Sequence, residues 1–247
     1  MKRQLSRRSF IAGATATSGL LLTGCTDPIL PPTYGSLLGL GEALTFASHR
    51  LLLRNQPLAR EFDRGSISKG FPAINTTFPE DELYRRLLRG QFADWRLPVG
   101  GKVARPMSLS LQDLKRFPAR TQITQHNCEQ GWSAIAEWTG VQLRRVLQHV
   151  QAAPDARYVV FRCVDGWWDS IDMFDALHPQ TLLTYGMNGQ ELPVQHGAPI
   201  RLRVERQLGY KSLKYVSSIE VVDRLDHIED GSGAMVVSYG YSWYAGI

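Results

Sequence analysis

The amino-acid sequence predicts a mixed-sheet α+β domain behind an N-terminal leader, and three observations lead to this prediction. Short runs of β-branched, aromatic and alternating apolar residues recur between 95 and 223, with turn residues between them. Apolar residues at helical spacing are rare, so the strands do not alternate with helices as they do in a doubly wound sheet. A composition of 43% hydrophobic and 21% charged residues is that of an ordinary globular protein.

Residues 1–24 predict an export signal. Basic residues come first, a mostly apolar stretch follows, and small residues precede Cys25. Residues 6–11, Ser-Arg-Arg-Ser-Phe-Ile, are similar to a twin-arginine signal, and residues 22–25, Leu-Thr-Gly-Cys, are similar to a bacterial lipoprotein box. An ordinary secretory signal is the alternative for the arginine pair. We therefore expect a periplasmic protein that is anchored to a membrane by acyl chains on Cys25.

The net charge of +5 does not indicate a nucleic-acid-binding surface. Residues 1–24 carry four basic side chains and no acidic one, which leaves a net charge of +1 for the rest of the chain. The sequence also lacks an apolar run of about 18 residues, so no transmembrane helix is predicted.

Two segments separate this leader from the main domain. Residues 25–35 contain Pro28, Pro31 and Pro32 and predict an extended tether. Residues 36–72 predict a helical N-terminal extension, with an amphipathic, leucine-rich helix over 36–54 that ends before Pro57. We expect the leucine face to pack on the domain itself, although a partner or the bilayer surface could also cover it. The main domain is expected over 73–247.

Local patterns predict the elements of this domain in order. A helix begins near Pro79, and the two glycines at 100–101 predict the turn of a hairpin over 95–103. The spacing of apolar residues predicts a helix over 142–151, and Asn188-Gly189 predicts a hairpin turn. Further strands are predicted over 121–126, 157–164, 181–187, 199–205 and 218–223, and residues 166–169 are interpreted as a loop.

Besides Cys25, the chain contains two cysteines, Cys128 and Cys163. They could form one disulfide in an oxidising compartment, or one of them could be a metal-binding or catalytic thiolate, and their positions in the sequence leave both possibilities open. No Cys-x-x-Cys-His, His-Glu-x-x-His, Gly-x-Gly-x-x-Gly or Walker motif occurs. Covalently bound haem, a zinc site of this type, a nicotinamide site and an ATP site therefore have no support.

Two sequence segments carry a family resemblance. Residues 126–133, His-Asn-Cys-Glu-Gln-Gly-Trp-Ser, precede Trp-Thr-Gly-Val at 138–141, and His-Gly-Ala-Pro-Ile-Arg at 196–201 precedes Gly-Tyr-Lys-Ser-Leu-Lys at 209–214. Together they resemble the molybdopterin-binding domain of the sulfite oxidase family. The resemblance implies that family's mixed-sheet α+β fold, a molybdenum–molybdopterin cofactor and Cys128 as the catalytic metal ligand. It also implies a set of cofactor contacts at His196, Arg201, Ser212, Leu213 and Lys214.

Weaker parts of the resemblance add Asn75, Phe78 and Cys163 as cofactor contacts. The substrate pocket is expected to contain aromatic and acidic side chains: Trp132, Asp165, Trp167, Trp168 and Asp169. The proton donor stays open among Glu129, Asp165, Asp169 and His126.

Two departures from sulfite oxidases shape the expected function. Only 33 residues follow Lys214, too few for the family's dimerisation domain, and no arginine pair follows Cys128. The chain looks more like the short periplasmic branch that reduces methionine sulfoxide in proteins. The resemblance thus implies an oxidoreductase that takes an oxygen atom from a sulfoxide or an N-oxide, small or protein-bound. Its electrons would come from a separate carrier, a membrane haem protein. The alternatives are sulfite oxidation and a non-catalytic binding lipoprotein with a Cys128–Cys163 disulfide.

Overall fold

The computed structural model describes residue 29, residues 31–32 and residues 37–247. The predicted signal over 1–24, Cys25 and most of the tether lie outside the described residues. Residues 31–247 cluster into one compact unit. The predicted boundaries at 24, 35 and 72 stay predictions.

The first of two sheets has five strands in the order β2-β1-β10-β5-β6. Its strands β1 and β10 run parallel, and the other neighbours are antiparallel. A sheet with both kinds of pairing agrees with the predicted α+β class. The strand bounds are β1 Arg96–Gly101, β2 Met107–Ser110, β5 Tyr158–Cys163, β6 Trp168–Asp172 and β10 Val216–Val222.

The second sheet is antiparallel and is built on β7. The strands β3, β4 and β7 lie side by side, and β7 also pairs with both β8 and β9. The turn between β7 and β8 falls at Asn188-Gly189, as predicted. The bounds are β3 Ala119–Asn127, β4 Ser133–Gln142, β7 Leu182–Met187, β8 Gln190–Glu191 and β9 Arg201–Arg203.

Five α-helices occur among the described residues, and short side chains fix several of their first turns. Asp81 accepts a hydrogen bond from the Tyr84 N–H at 2.7 Å, and Ser110 and Asp113 form a capping box. The predicted helices over 36–54 and 142–151 are confirmed as α1 and α4. The bounds are α1 Leu37–Leu52, α2 Glu82–Arg89, α3 Leu111–Arg116, α4 Leu143–His149 and α5 Met173–Ala176.

Two local predictions are wrong, and one strand was not predicted. The glycines at 100–101 do not form a turn; β1 continues through them, because Gly101 lies so close to β10 that a Cβ there would meet the Val221 carbonyl oxygen at 2.2 Å. The segment at 138–141 belongs to β4, which sequence analysis did not predict as a strand. Residues 168–169 open β6 and are not part of a loop.

The helix α1 packs on the domain with a different face from the predicted one. Its buried stripe contains Ala43 and Phe46, and Phe46 contacts the rings of Trp243 and Tyr244. The leucines that suggested an apolar packing face are exposed instead: Leu37, Leu40, Leu44, Leu51 and Leu52. The reason is that Arg50, on the buried stripe, pairs with Asp172 and Asp175 and fixes which side faces inward.

One hydrophobic core joins the two sheets. It contains Leu97 of β1, Phe161 of β5 and Ile219 of β10 from the first sheet, together with Leu183 of β7 and Leu202 of β9 from the second. The ends of the strands, and the loops between them, therefore stand on a rigid base. Among the described helices, none has the length and apolar character needed to cross a bilayer.

Candidate active site

A cavity of about 580 Å³ lies where loops of both sheets converge. Its walls come from five parts of the chain, and the volume is that of a site for a cofactor or a drug-sized ligand. The contributing segments are the β3–β4 loop, the β5–β6 loop, residues 71–76, residues 195–214 and residues 236–241.

Two of these segments are hairpin loops with the same sequence pattern and the same geometry. Residues 128–132 and 163–167 both read Cys-x-x-Gly-Trp. In each loop the cysteine N–H donates to the tryptophan carbonyl, at 2.9 and 2.8 Å, and the glycine has a positive φ of 90° or 80°. Each loop thus brings one tryptophan and one carboxylate to the cavity wall: Trp132 with Glu129, and Trp167 with Asp165.

Cys128 opens the first loop, directly after β3. Its side chain is buried, and its sulfur lies 3.5 Å from both the Gln130 N–H and the Glu129 carboxylate. The residues around it line the cavity, although Cys128 itself is not part of the lining. Burial raises the pKa of the thiol to about 11, and the Glu129 carboxylate adds to this shift. A metal at Cys128 must therefore displace the thiol proton, and its role as metal ligand stays a prediction.

A basic cluster on β9 forms the floor of the site. The guanidinium groups of Arg201 and Arg203 lie over the ring of Trp138 at 5.1 and 4.5 Å. Glu205 pairs with Arg203 in a two-pronged contact at 2.6 and 3.1 Å. Arg201 donates to the carbonyls of His196 and Ser212, but its Nε is buried without a partner.

The charge balance of this floor is the test of whether a phosphate-bearing cofactor fits. Burial and the neighbouring Arg203 lower the pKa of Arg201 to about 9, and burial and Arg201 lower the pKa of Lys214 to about 8. An anion in the cavity would raise the pKa values of Arg201 and Lys214 towards their usual values. It would also give the unpartnered Arg201 Nε an acceptor. The donor set therefore fits the phosphate of a pterin cofactor.

Lys214 also holds the loop that contains Asn75. Its ammonium group donates to the carbonyl of Ile74 at 2.7 Å and to that of Thr76. Asn75 lies between these two residues with φ of 55°, a left-handed conformation that asparagine tolerates, and it lines the cavity. The structure therefore brings Asn75 together with the basic cluster, as the prediction required.

The other predicted contacts on this side also line the cavity, namely His196, Ser212 and Leu213. The Ser212 hydroxyl accepts the Val204 N–H at 3.2 Å, and burial lowers the pKa of His196 to about 4. Gly209 allows close approach, because a Cβ there would meet the ring nitrogen Nε2 of His126 at 2.4 Å.

Burial and the neighbouring arginines hold the ring of His126 neutral in this arrangement. Burial, with Arg203 and Arg201 nearby, lowers the pKa of His126 to about 2. Its Nδ1 lies 2.7 Å from Arg203 Nη1, which can only donate, so the ring is neutral and carries its proton on Nε2. Of the four possible proton donors, Glu129, Asp165 and His126 line the cavity, and Asp169 does not.

Besides Cys128, four predicted site residues do not line the cavity. Phe78 is 48% exposed and contacts Tyr84, whereas Cys163 is buried in the hydrophobic core. Trp168 and Asp169 lie in β6, where Asp169 pairs with Lys211 at 2.5 Å. The disulfide alternative is wrong, because Cys128 and Cys163 are both free thiols.

Several residues at the cavity were missed by sequence analysis. Phe71 contacts the rings of Trp132, Trp138, His126 and His196 at 5.4–5.8 Å and joins the two halves of the site. Tyr239 and Tyr241, near the C-terminus, line the open side. The repeated Cys-x-x-Gly-Trp pattern was the available signal for the paired loops; the other residues reach the cavity through tertiary folding alone.

Comparisons with known proteins show the family to which this chain is similar. The family described as "Oxidoreductase molybdopterin binding domain" matches residues 87–227. A protein of Azospira oryzae, provisionally named protein-methionine-sulfoxide reductase subunit YedZ1, is 36% identical over 98% of this chain and 88% of its own length. The protein-methionine-sulfoxide reductase catalytic subunit MsrP of Xanthomonas axonopodis pv. citri is 33% identical over 89% of this chain and 70% of its own length.

A solved structure supports the predicted fold class. The sulfane dehydrogenase SoxCD of Paracoccus pantotrophus aligns with a TM-score of 0.52 over 82% of this chain and 57% of its own chain, at 20% identity. This likeness concerns the fold alone. Family match, relatives and fold agree, and the predicted cofactor class is confirmed: the chain belongs to the oxidoreductases with a molybdopterin-binding domain.

Proposed function

We propose that this chain is the catalytic subunit of a reductase that acts on methionine sulfoxide in proteins, with molybdenum held by its pterin cofactor. In the overall reaction, a sulfoxide takes up two electrons and two protons, its sulfur–oxygen bond breaks, and a thioether and one water molecule form. Relatives over most of the chain carry the name protein-methionine-sulfoxide reductase. When bound, the cofactor supplies the two-electron redox chemistry of oxygen-atom transfer.

The observation that carries the proposal is that the cavity combines buried cations with carboxylates that lie among aromatic rings. Arg201 is 5% exposed and donates to two carbonyls, and Lys214 donates to the carbonyls around Asn75. Both cations are therefore held against the protein wall of the cavity by hydrogen bonds to backbone carbonyls. The carboxylates Glu129 and Asp165 lie among aromatic rings: Glu129 interacts with Tyr210, and Asp165 accepts the Trp167 N–H and also interacts with Lys214. An uncharged sulfoxide suits such an entrance better than a dianion such as sulfite.

Each group of residues has its own part in the reaction. Arg201 and Lys214 bind the cofactor phosphate, and Cys128 is the protein's ligand to molybdenum. The tryptophans Trp132 and Trp167 exclude water and orient the substrate, and Glu129 or Asp165 passes a proton to the oxygen that leaves as water.

The test uses protein produced in a host that makes molybdopterin. With a reduced viologen dye as donor, we expect methionine sulfoxide in a peptide to be reduced, and faster than trimethylamine N-oxide. Cys128→Ser should lose turnover, while its unfolding transition stays close to that of the wild type. Turnover of sulfite with an artificial acceptor, without turnover of sulfoxide, would show that the proposed substrate is wrong.

We also propose a periplasmic location with a lipid anchor on Cys25. The twin-arginine-like and lipoprotein-like segments of residues 1–25 support it. Radiolabelled palmitate should enter the wild type and not Cys25→Ala; equal labelling of both would contradict the anchor. The electrons would come from a separate membrane haem protein. The word "subunit" in the names of the relatives supports the existence of a separate partner.

A further inference from the structure

Four aromatic side chains surround the open side of the cavity, and we call them the aromatic rim: Trp167, Tyr210, Tyr239 and Tyr241. Trp167 and Tyr239 are stacked, with ring centroids 6.0 Å apart and planes 1° from parallel. Tyr210 and Tyr241 are tilted against each other at 5.4 Å. Tyr239 is 65% exposed and Tyr241 is 45% exposed, so half of the rim presents large apolar faces to solvent beside a cavity.

The rim is held in position by a buried network under the C-terminal segment. The Lys211 ammonium group donates to Asp169 at 2.5 Å and to the carbonyls of Ser170 and Trp243, each at 2.8 Å. Trp243 in turn donates from its ring N–H to the Ser170 hydroxyl at 2.8 Å. Buried hydrogen bonds therefore connect the segment that follows Tyr239 and Tyr241 to β6. The rings of the rim are held in position before a ligand binds.

Tyr210 links the same segment to the cavity wall. Its hydroxyl donates to the Ser242 carbonyl at 2.7 Å, next to the buried Trp243. Tyr239 and Tyr241 lie beyond residue 227, where the match to the family ends. Half of the rim thus lies outside the residues that the family's domain covers, and Trp167 and Tyr210 lie within them.

The charge beside the rim is negative. Asp165 accepts the Trp167 N–H at 3.4 Å, and Glu129 lies close enough to Tyr210 to contribute, after burial and Asp169, to raising the pKa of that phenol. A ligand that reaches the cavity past these rings therefore meets aromatic faces and two carboxylates. Apolar or basic groups suit this entrance, and acidic groups are repelled.

We propose that the aromatic rim recognises the polypeptide that carries the methionine sulfoxide, binding the apolar or basic neighbours of the oxidised residue in a flexible segment. The proposal rests on the proposed function, whose substrate class it narrows. Apolar side chains and cationic side chains both pack well on the faces of aromatic rings. A flexible segment suits the site, because the oxidised side chain must reach past the rings into a cavity of about 580 Å³ that also has to hold the cofactor.

The test compares a peptide substrate with a small sulfoxide. In Tyr239→Ala and Tyr241→Ala, we expect KM for a methionine-sulfoxide peptide to rise about tenfold, because a ring that contacts the peptide is lost. The kcat/KM for dimethyl sulfoxide and the molybdenum content should stay near the wild-type values. Tyr239→Phe should restore the peptide KM, because it keeps the stack. Leu83→Ala, an exposed residue of α2 away from the cavity, is the surface control.

The charge of the peptide gives a second measurement. Peptides with lysine on both sides of the methionine sulfoxide should have a lower KM than peptides with glutamate, and the difference should shrink at high salt. Equal KM values for the two peptides at low salt would overturn the role of the carboxylates.

Failure of the rim and failure of the proposed function give different results. If the wild type reduces sulfoxides but the tyrosine variants change peptide and dimethyl sulfoxide kinetics equally, the rim proposal is wrong and the function stands. If the wild type reduces no sulfoxide, the anisotropy of a fluorescent methionine-sulfoxide peptide decides. Binding that is lost in both alanine variants supports the rim, and absence of binding to the wild type overturns it.

Discussion

Arg201 occupies the position in the site where a single side chain affects cofactor binding most directly. It lies over Trp138, donates to two carbonyls and keeps a buried Nε without a partner. A lysine has one point charge in place of a planar fork and cannot make these contacts together.

We therefore expect Arg201→Lys to retain pterin poorly, with about a tenfold lower cofactor content per chain, corresponding to a loss of about 1.4 kcal/mol in binding. The measurement is pterin fluorescence after oxidative release from purified protein. Arg162→Lys is the matched control, since Arg162 forms half-exposed pairs with Glu220 and Glu229 away from the cavity. Equal pterin content in both variants would remove Arg201 from the cofactor site.

Among the individual residues of the site, sequence patterns predicted those that lie close together in the chain. Residues near Cys128 and between His196 and Lys214 line or adjoin the cavity because short loops and β9 hold them there. Phe71 and Tyr239 reach the cavity from distant parts of the chain, through packing that no local pattern records. Cys163 had the right residue type and the right loop, but its side chain turns into the core.

Among the secondary-structure elements, α1 depends on one ion-pair network. Arg50 donates to Asp172 at 2.8 Å and to Asp175 at 2.7 Å, and its guanidinium group also lies over Phe46, Phe174 and Tyr244. Burial works to raise the pKa of Asp175, but Arg50 and Arg206 outweigh it and hold this pKa below its usual value. The helix thus docks through a charge pair in which both carboxylates are buried.

Removal of the Arg50 guanidinium group should leave the negative charges of Asp172 and Asp175 buried with too little positive charge beside them. We expect Arg50→Met to lower the free energy of unfolding by about 3 kcal/mol, the usual scale for breaking a buried pair. Urea denaturation followed by circular dichroism measures it. Arg54→Met, at an exposed position after the same helix, should change stability by less than about 0.5 kcal/mol. A loss that is equally small in Arg50→Met would show that α1 docks through its apolar stripe alone.

The missed strand β6 shows why some elements cannot be predicted locally. All five of its residues are buried, and three of them are polar: Asp169, Ser170 and Asp172. Such a strand shows neither alternation nor an apolar run. Its partners, Lys211, Trp243 and Arg50, lie 41 or more residues away in the chain.

The whole molecule is closed by a strap, which we define as residues 53–72, that runs from α1 to the cavity. The Phe62 and Ser68 N–H groups donate to carbonyls of β3 and β4 at 2.9 and 3.0 Å. The side chain of Gln180 exchanges two hydrogen bonds with the backbone of Ala59, at 2.7 and 3.0 Å. Phe71 at its end lines the cavity. Loss of the hydrogen bonds that hold the strap should therefore also displace Phe71 from the cavity wall.

His178 makes this closure sensitive to acid. Its Nε2 lies 3.2 Å from the Pro57 carbonyl, and its Nδ1 accepts the Gln180 N–H at 3.2 Å, so the structure requires the neutral ring. Burial, and Arg206 nearby, lower the pKa of His178 to about 4, below the usual 6.5. The unfolded chain then binds the extra proton first, and stability that is fully present above pH 6.5 is lost as the pH falls towards 4.

We expect the free energy of unfolding of the wild type to fall by about 1–2 kcal/mol more than that of His178→Asn between pH 7.5 and pH 5. Asparagine keeps an acceptor for the Gln180 N–H and does not titrate. Urea denaturation at the two pH values gives the difference, and His227→Asn, at an exposed position, should follow the wild type. If all three proteins lose the same stability, the acid sensitivity does not come from the contact of the His178 imidazole with the Pro57 carbonyl of the strap.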